Sequence, residues 1–465
     1  MRPPILFRLA PPVLAASLLT GCAVGPTYNV PATPAPAAFK EAAGWIPAAP
    51  ADTLERGPWW TLFNDPVLTG LVQQVEVSNQ NVAAAVASYA QARALVAEQR
   101  ASLFPQVSLN ASSNRSGGRD ADSSSNYRLN IGGSWEPDLW GRLRNGVTSA
   151  RAGASASAAD LAAARLSAQG ELAANFFQLR EADAQRALLA QTIEGYQRVG
   201  TIAKNRYQAG IVGKSDVLQA QTQLANAQVD DLTLARQRAQ LEHAIAILIG
   251  KAPAEFSLAS APWTVNVPDI PVGVPATLLQ RRPDIAAAER RVAAANARIG
   301  IVRSAYYPNI GLNGSIGSGG SKIGDLLSAS TLLWSFGTSV AQSIFNAGAT
   351  RASVAGAEAQ HQVAVARYRQ AVLDAFGDVE NQLVAARVLG QQQVLRRQAS
   401  EAADQVEQQM LNRYKAGQVG YAEVVQAQAT ALSARRALVQ SQADRQTTAV
   451  ALIQSLGGGW QASLE

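Results

Sequence analysis

Arg206-Tyr207-Gln208-Ala209-Gly210-Ile211-Val212-Gly213-Lys214-Ser215-Asp216-Val217-Leu218-Gln219-Ala220-Gln221 returns near the other end of the chain as Arg413-Tyr414-Lys415-Ala416-Gly417-Gln418-Val419-Gly420-Tyr421-Ala422-Glu423-Val424-Val425-Gln426-Ala427-Gln428. Ten of the sixteen paired positions are identical. A second pair keeps the same order: Arg100-Ala101-Ser102-Leu103-Phe104-Pro105, leading to Asn110, is echoed by Arg303-Ser304-Ala305-Tyr306-Tyr307-Pro308, leading to Asn313. Two ordered matches describe a duplicated structural unit, so each motif is read as one of a pair.

All 21 prolines lie at or before Pro308, and 138–252 and 309–465 contain none. Proline inside a helix costs about 3 kcal/mol, so its absence from long Ala-, Gln-, Leu- and Arg-rich stretches permits very long helices. One helix from Leu143 to Arg206 would span roughly 95 Å. Leu172, Phe176 and Leu179, then Leu189, Ile193 and Tyr196, step by three and four. After Gly213, Leu234, Leu241, Ile245 and Leu248 continue a seven-residue beat that implies supercoiling against neighbouring helices.

Elsewhere the period changes. Asp65-Pro66 starts a helix expected to run to about Leu103, where Phe104-Pro105 stops it. Val107, Leu109 and Ala111 then alternate with polar residues, as do Tyr127, Leu129, Ile131, Gly133 and Trp135, with a polar loop expected between them from Ser113 to Asn126. The second half restarts with a helix from Asp284 to Ala305. Ile310, Leu312, Gly314 and Ile316 alternate, a flexible loop is expected around Gly317–Gly320, and Trp334 to Ile344 alternate again. Each half reads as helix, strand pair, long helix, tight turn, helix. The strands fit either small soluble hairpins or membrane strands. Four are too few for a barrel of their own, since membrane barrels start at about eight, so the second reading requires several chains to share one.

Residues 1–21 carry a basic start, an apolar stretch and Gly21 before the only cysteine, Cys22, which describes a secretory signal and tilts the strands toward the shared barrel. A Pro- and Ala-rich arm occupies 22–62. The first repeat is assigned to 63–252, with its strand pair at about 106–136 and its tip at about 206–216. A connector fills 253–283, and the second repeat 284–457 has strands at about 309–345 and a tip at about 413–423. A tail closes the chain at 458–465.

The net charge of +6 falls to +4 once Arg2 and Arg8 are set aside. The arginines lie at helical spacing with no basic run among aromatics, which argues against a nucleic-acid partner. Gly213-Lys214-Ser215 lacks the upstream glycine of a phosphate loop, since Gln208 stands there. His243 and His361 are unpaired and lack metal-ligand spacing. No catalytic residue, metal site or cofactor is expected.

Leu19-Thr20-Gly21-Cys22 resembles the bacterial lipobox, which implies cleavage before Cys22 and its acylation; Ala23 after it implies sorting to the outer membrane. This motif joins Gly25-Pro26-Thr27-Tyr28, Trp59-Trp60 with Phe63-Asn64-Asp65-Pro66, Pro271-Val272-Gly273-Val274-Pro275, and Leu278-Leu279-Gln280-Arg281-Arg282-Pro283-Asp284-Ile285 with Glu289. Together they resemble the outer-membrane factors of tripartite efflux pumps, the TolC- and OprM-like proteins of the NodT-type lipoprotein branch. The resemblance implies a mainly α fold with membrane β: a homotrimer sharing a twelve-stranded outer-membrane barrel, continued by a periplasmic barrel of helices. It also implies a passive exit duct for small molecules, with no enzyme activity and no cofactor beyond the lipid on Cys22. The implied partners are a periplasmic adaptor and an inner-membrane transporter of the resistance-nodulation-division type. A polypeptide-secretion conduit shares this architecture. A periplasmic coiled-coil adaptor would share the long hairpins and the lipid anchor but has no use for symmetric strand pairs.

In such a family the duplicated turns form the closed aperture and meet the adaptor. That assigns Gly210, Val212, Gly213, Gly417, Val419 and Gly420 to the docking tips, although glycines also end helices simply by accepting positive φ. Arg206, Tyr207, Arg413 and Tyr414 are expected to hydrogen-bond between neighbouring helix pairs and hold the aperture shut. Family members commonly place an aspartate where this chain has Gln426; Glu423, three residues earlier, either supplies the missing charge or is a solvated helix residue.

Overall fold

The computed structural model describes residues 24–33, 36, 38–41, 58–119, 121–263, 265–268, 270 and 282–458. The signal segment 1–21, Cys22, most of the Pro-rich arm, the 271–281 part of the connector motif and the tail from 459 lie outside the described residues.

Eleven helices and strands follow the duplicated plan: α1 (Pro66–Ser78), α2 (Gln80–Ala101), β1 (Gln106–Gly118), β2 (Ala121–Trp135), α3 (Arg142–Gln208) and α4 (Lys214–Leu248), then α5 (Pro283–Arg303), β3 (Asn309–Gly320), β4 (Leu332–Ala341), α6 (Ala349–Lys415) and α7 (Tyr421–Ser455). The repeat extends to element length. Both long helices have 67 residues, about 100 Å of rise, and both return helices have 35.

The chain divides into two compact units that each draw on both repeats. The first takes residues up to 33, 88–158 and 287–370. Its centre is one antiparallel sheet in the order β1-β2-β3-β4. Leu109 pairs with Ile131, Ile131 with Ile316, and Ile316 with Trp334. Because strand side chains alternate, this register collects Val107, Leu109, Leu129, Ile131, Trp135, Ile310, Leu312, Ile316, Leu332, Trp334, Phe336 and Val340 on one face. The opposite face carries Ser108, Asn110, Ser112, Arg128, Asn130, Asn313, Ser315, Ser335 and Ser339. Most of the large apolar side chains are exposed, and β1 and β4 each have one edge without a described partner strand.

Three expectations about this sheet are corrected. The polar stretch from Ser113 to Asn126 is mostly strand, not loop. Arg115 donates to the Ser123 hydroxyl and the Ser116 and Ser124 hydroxyls meet across the pair, so polar cross-strand contacts carry the ladder to Gly118. Gly317–Gly320 also belongs to a strand: a Cβ on Gly317 would fall 2.4 Å from the Leu129 carbonyl oxygen, a close approach that only glycine allows. β4 ends at Ala341, short of the expected Ile344, and the side-chain amide of Gln342 then donates to the Tyr306 carbonyl.

At the foot of the sheet, Trp140 stacks on Tyr307 at 4.8 Å and its indole N–H donates to the Pro308 carbonyl at 2.7 Å. The segment from Val24 straps this unit. Val24 N–H donates to the Trp140 carbonyl, Asn296 donates to the Pro26 carbonyl, and the Tyr28 hydroxyl donates to Glu289. The Gly25-to-Tyr28 motif and Glu289 therefore form one contact set.

The second unit takes 34–87, 159–286 and 371 onward. Trp59, Trp60 and Phe63 are buried, with Phe63 against Phe177 at 4.9 Å and the Trp59 indole donating to Gln169. Asp65 caps α1 by accepting from Val67 and Leu68 N–H, with Pro66 at the first turn. The helix expected to run on to Leu103 breaks at Asn79. That residue is extended, its side-chain oxygen caps α2 by accepting from Asn81 and Val82 N–H, and its amide donates to the Leu248 carbonyl at 2.8 Å. Arg282 clamps both Asp284 oxygens, Asp378 and the Ser455 carbonyl, which gives the arginine of the Arg-Pro-Asp-Ile motif a structural role. Leu189, Tyr196, Ala227 and Leu234 form a buried seam, joined by Ile193, Leu224 and Leu432, as the heptad spacing requires.

Candidate functional site

The two duplicated turns lie in the second unit and close identically. Gly210 and Gly417 take left-handed φ values of +72° and +75°. Ile211 N–H bonds back to the Arg206 carbonyl and Gly210 N–H to Tyr207; Gln418 and Gly417 do the same to Arg413 and Tyr414. Each is a Schellman turn, which satisfies the last carbonyls of the long helix. Gly213 and Gly420 then cap the return helices without side-chain help, and Asp216 and Glu423 occupy equivalent first-turn positions, where a carboxylate is favoured by the helix dipole.

Side chains break this symmetry. Tyr414 and Tyr421 are buried with ring centroids 5.6 Å apart, packed with Val199, Ala220 and Val424. Arg206 reaches over from the first tip: its guanidinium lies 4.8 Å above the Tyr414 ring and donates to the Tyr414 backbone carbonyl at 3.0 Å. The four residues expected to act alike therefore separate. Arg206 and Tyr414 are brought together, whereas Tyr207 and Arg413 are exposed. The Arg206 guanidinium lies beside the Tyr414 phenol, but its well-formed hydrogen bond goes to the Tyr414 carbonyl; neither the Tyr414 nor the Tyr421 hydroxyl makes one of good geometry among the described residues. Burial pushes the Tyr421 phenol up to about 12 and raises that of Tyr414, which the Arg206 guanidinium partly offsets.

Glu423 and Gln426 are exposed, with Glu423 folded toward Gly420 at the start of α7. Val212 and Val419 are half-buried. Tyr421 was not singled out in the sequence. Its signal was the contrast between Lys214 and Tyr421 at one repeat position, where a large aromatic replaces a solvated cation.

Farther along the same helices a polar crevice of about 590 Å³ opens between α3, α4 and α7. Gln185 donates to Glu181 and accepts from Arg436, which also donates to Asp230. Burial pushes the Glu181 carboxyl up to about 7; Asp444 pushes the same way, against the Gln185 hydrogen bond and Arg436. Among the described residues no group of three or more His, Cys, Asp or Glu is placed to hold a metal, and no helix is long and apolar enough to cross a membrane.

Residues 71–251 and 274–458 match the family described as outer membrane efflux protein, one match per repeat. The chain belongs to the outer membrane efflux protein family. It is 30% identical to the probable efflux pump outer membrane protein TtgC of Pseudomonas putida, over 96% of this chain and 94% of the relative. It is 29% identical to the cation efflux system protein CusC of Escherichia coli, over 97% and 98%. The solved outer-membrane channel OprN superposes with a TM-score of 0.88 at 31% identity, covering 95% of this chain and all of that one. The expected fold and function hold: this efflux protein is an outer-membrane channel component with a TolC-like, two-repeat architecture.

Proposed function

We propose that three copies of the chain form a passive exit duct, with their strands sharing one outer-membrane barrel and their long helices forming a periplasmic barrel. The carrying observation is the four-stranded sheet, with its exposed apolar face, opposite polar face and two free edges. An edge left open in hydrocarbon costs several kcal/mol per unsatisfied backbone group, so such a sheet spans a membrane only when other strands close it. Its polar face of Ser, Asn and Gly would then line a wide aqueous lumen.

The duplicated tips supply the closed end. Arg206 on Tyr414 ties the first hairpin to the second, and Gly210, Val212, Gly213, Gly417, Val419 and Gly420 present the surface to a periplasmic adaptor, which couples the duct to an inner-membrane transporter. Selection of cargo falls to that transporter, and no chemical step is assigned to this chain. Cys22, acylated after removal of 1–21, would add an anchor; two acyl chains suffice for stable attachment.

Light scattering in detergent should give a trimer that conducts in planar bilayers. A monomeric, non-conducting particle would remove the reading. Mass spectrometry of the N-terminal peptide checks Cys22, and an unmodified cysteine on a chain retaining 1–21 would refute the anchor.

A further inference from the structure

The strands of the sheet hold few charges, and their register separates them. β3 and β4 carry none, and β1 and β2 carry only Arg115, Asp122 and Arg128. Arg115 follows Val107, Leu109 and Ala111 on the same alternation, so it extends the apolar face beyond its last large side chains and donates to the Ser123 hydroxyl. Arg128 is placed differently. It pairs with Ser112 on one side and Gly319 on the other, which puts it on the polar face among serines and asparagines. Asp122 lies six residues away along β2, a distance of about 20 Å.

The surroundings of Arg128 leave its charge uncompensated. A Cβ on Gly319 would fall 3.2 Å from Arg128 Cγ and 3.1 Å from the Tyr127 carbonyl oxygen, so the arginine stem lies across a position where glycine leaves room for it. The carboxylate of the β3–β4 connection is on the other side: Asp325 sits against Gly320, which pairs with Tyr127 on the apolar face, and accepts from Lys322 N–H. Arg128 is exposed and has no ion-pair partner among the described residues. Its level along the strand is that of the apolar band, since the next residue, Leu129, pairs with Ala111 and Ser318, and Ser318 with Leu332.

We propose that Arg128 is the charge-selecting residue of the outer-membrane lumen, one copy from each chain forming a ring of guanidinium groups that favours anions over cations at the exit. The proposal rests on the trimeric-duct reading and adds a charge preference to it, acting after the transporter has chosen the cargo. Twelve strands spaced about 4.8 Å apart and tilted by about 40° enclose a barrel about 24 Å across. Its axis is then about 12 Å from the wall and closer to an inward-reaching guanidinium, which is comparable with the screening length of about 10 Å at 0.1 M salt. Three unit charges at that range, screened once over that length, enrich small anions on the axis roughly twofold and deplete cations to match. Asp122 stands about two such lengths away and leaves this level of the lumen positive.

Reversal potentials in planar bilayers across a potassium chloride gradient test it, comparing wild type with Arg128→Gln, Arg128→Glu and Arg115→Gln. Each is measured in the native sequence and in an Arg206→Ser background, so that the tip does not mask the barrel. The chloride-to-potassium permeability ratio should fall roughly twofold in Arg128→Gln and roughly fourfold in Arg128→Glu near 0.1 M salt, and the differences should fade near 1 M, where screening acts within about 3 Å. Arg115→Gln, on the opposite face, should match wild type. Should Arg128→Glu fail to assemble, the neutral Arg128→Gln decides. Conducting trimers with one permeability ratio throughout, in both backgrounds, overturn the role of Arg128 and leave the channel reading intact. So do shifts that persist unchanged at high salt, which would come from pore shape, or an equal shift in Arg115→Gln, which would reverse the facing. A wild type that is monomeric and does not conduct overturns the channel reading itself, and this proposal with it.

Discussion

Glu181 has its carboxyl raised from its ordinary value to about 7, with burial the larger cause and Asp444 adding to it, against Gln185 and Arg436. A raised carboxyl binds more protons in the folded than in the unfolded state between those two values. Stability is therefore greatest below the unfolded value and is lost as pH rises through about 7. Glu181→Gln removes that loss, so the variant should gain melting temperature relative to wild type at about pH 8 and little at about pH 5, read by circular dichroism. An equal gain at both pH values would assign the effect to packing. Tyr421 makes a different case at the same scale. Its ring fills the second tip while its hydroxyl has no partner, so Tyr421→Phe should leave melting unchanged or slightly raised. Tyr421→Ala should cost about 3–5 kcal/mol, as other large-aromatic truncations do. Neither residue stood out in the sequence, because burial of a helix glutamate or tyrosine depends on a helix more than two hundred residues away.

Helix and strand register carry the next set of consequences. Gly210 and Gly417 have positive φ with open space or only the tip of Arg206 beside them, so alanine there meets conformational strain rather than a clash. Each Gly→Ala should cost about 1–2 kcal/mol in thermal melts, whereas Gly→Ala at the mid-helix Gly153 or Gly377, where a Cβ meets open space, should gain about 0.5–1 kcal/mol. In the sheet, Phe336 and Ser335 are neighbours on opposite faces. Phe336→Arg, on the apolar face, should cost about 2–4 kcal/mol near the bilayer centre and reduce outer-membrane assembly, while Ser335→Arg should assemble normally. Equal recovery of both in outer-membrane fractions would refute the facing. These elements were the most legible part of the sequence: proline-free stretches marked α3 and α6, paired glycines marked both turns, and alternation marked four strands. The break at Asn79 was not, since one asparagine in an apolar helix pattern becomes a cap only when the Leu248 carbonyl arrives to meet its amide. The strand in 113–126 was hidden for the opposite reason, because a polar stretch pairing through Ser and Arg side chains has the composition of a loop.

For the proposed duct, the decisive quantity is the population of closed and open ends, and Arg206 is the side chain whose replacement tests the proposed gate. Its hydrogen bond to the Tyr414 carbonyl involves a charged donor, a class worth about 1.5–3 kcal/mol, and its position above the ring adds about 0.5–1. Three copies opening together would remove about 6–12 kcal/mol of bias, and about 5.5 suffices to invert a two-state population from 1:99 to 99:1. Arg206→Ser should therefore turn a mostly closed channel into a mostly open one in planar bilayers, with the trimer intact. Arg206→Lys, which keeps the charge and a donor but loses the planar guanidinium, should fall between. Tyr414→Phe separates this mechanism from a phenol-mediated one. It keeps the ring and the carbonyl that Arg206 uses and removes only a hydroxyl that makes no well-formed hydrogen bond, so its conductance should match wild type. High basal conductance in Tyr414→Phe would transfer the gate contact to the hydroxyl. Wild-type conductance in Arg206→Ser would show that the buried Tyr414 and Tyr421 cluster holds the tip closed without the arginine, whose role would then be confined to joining the two hairpins.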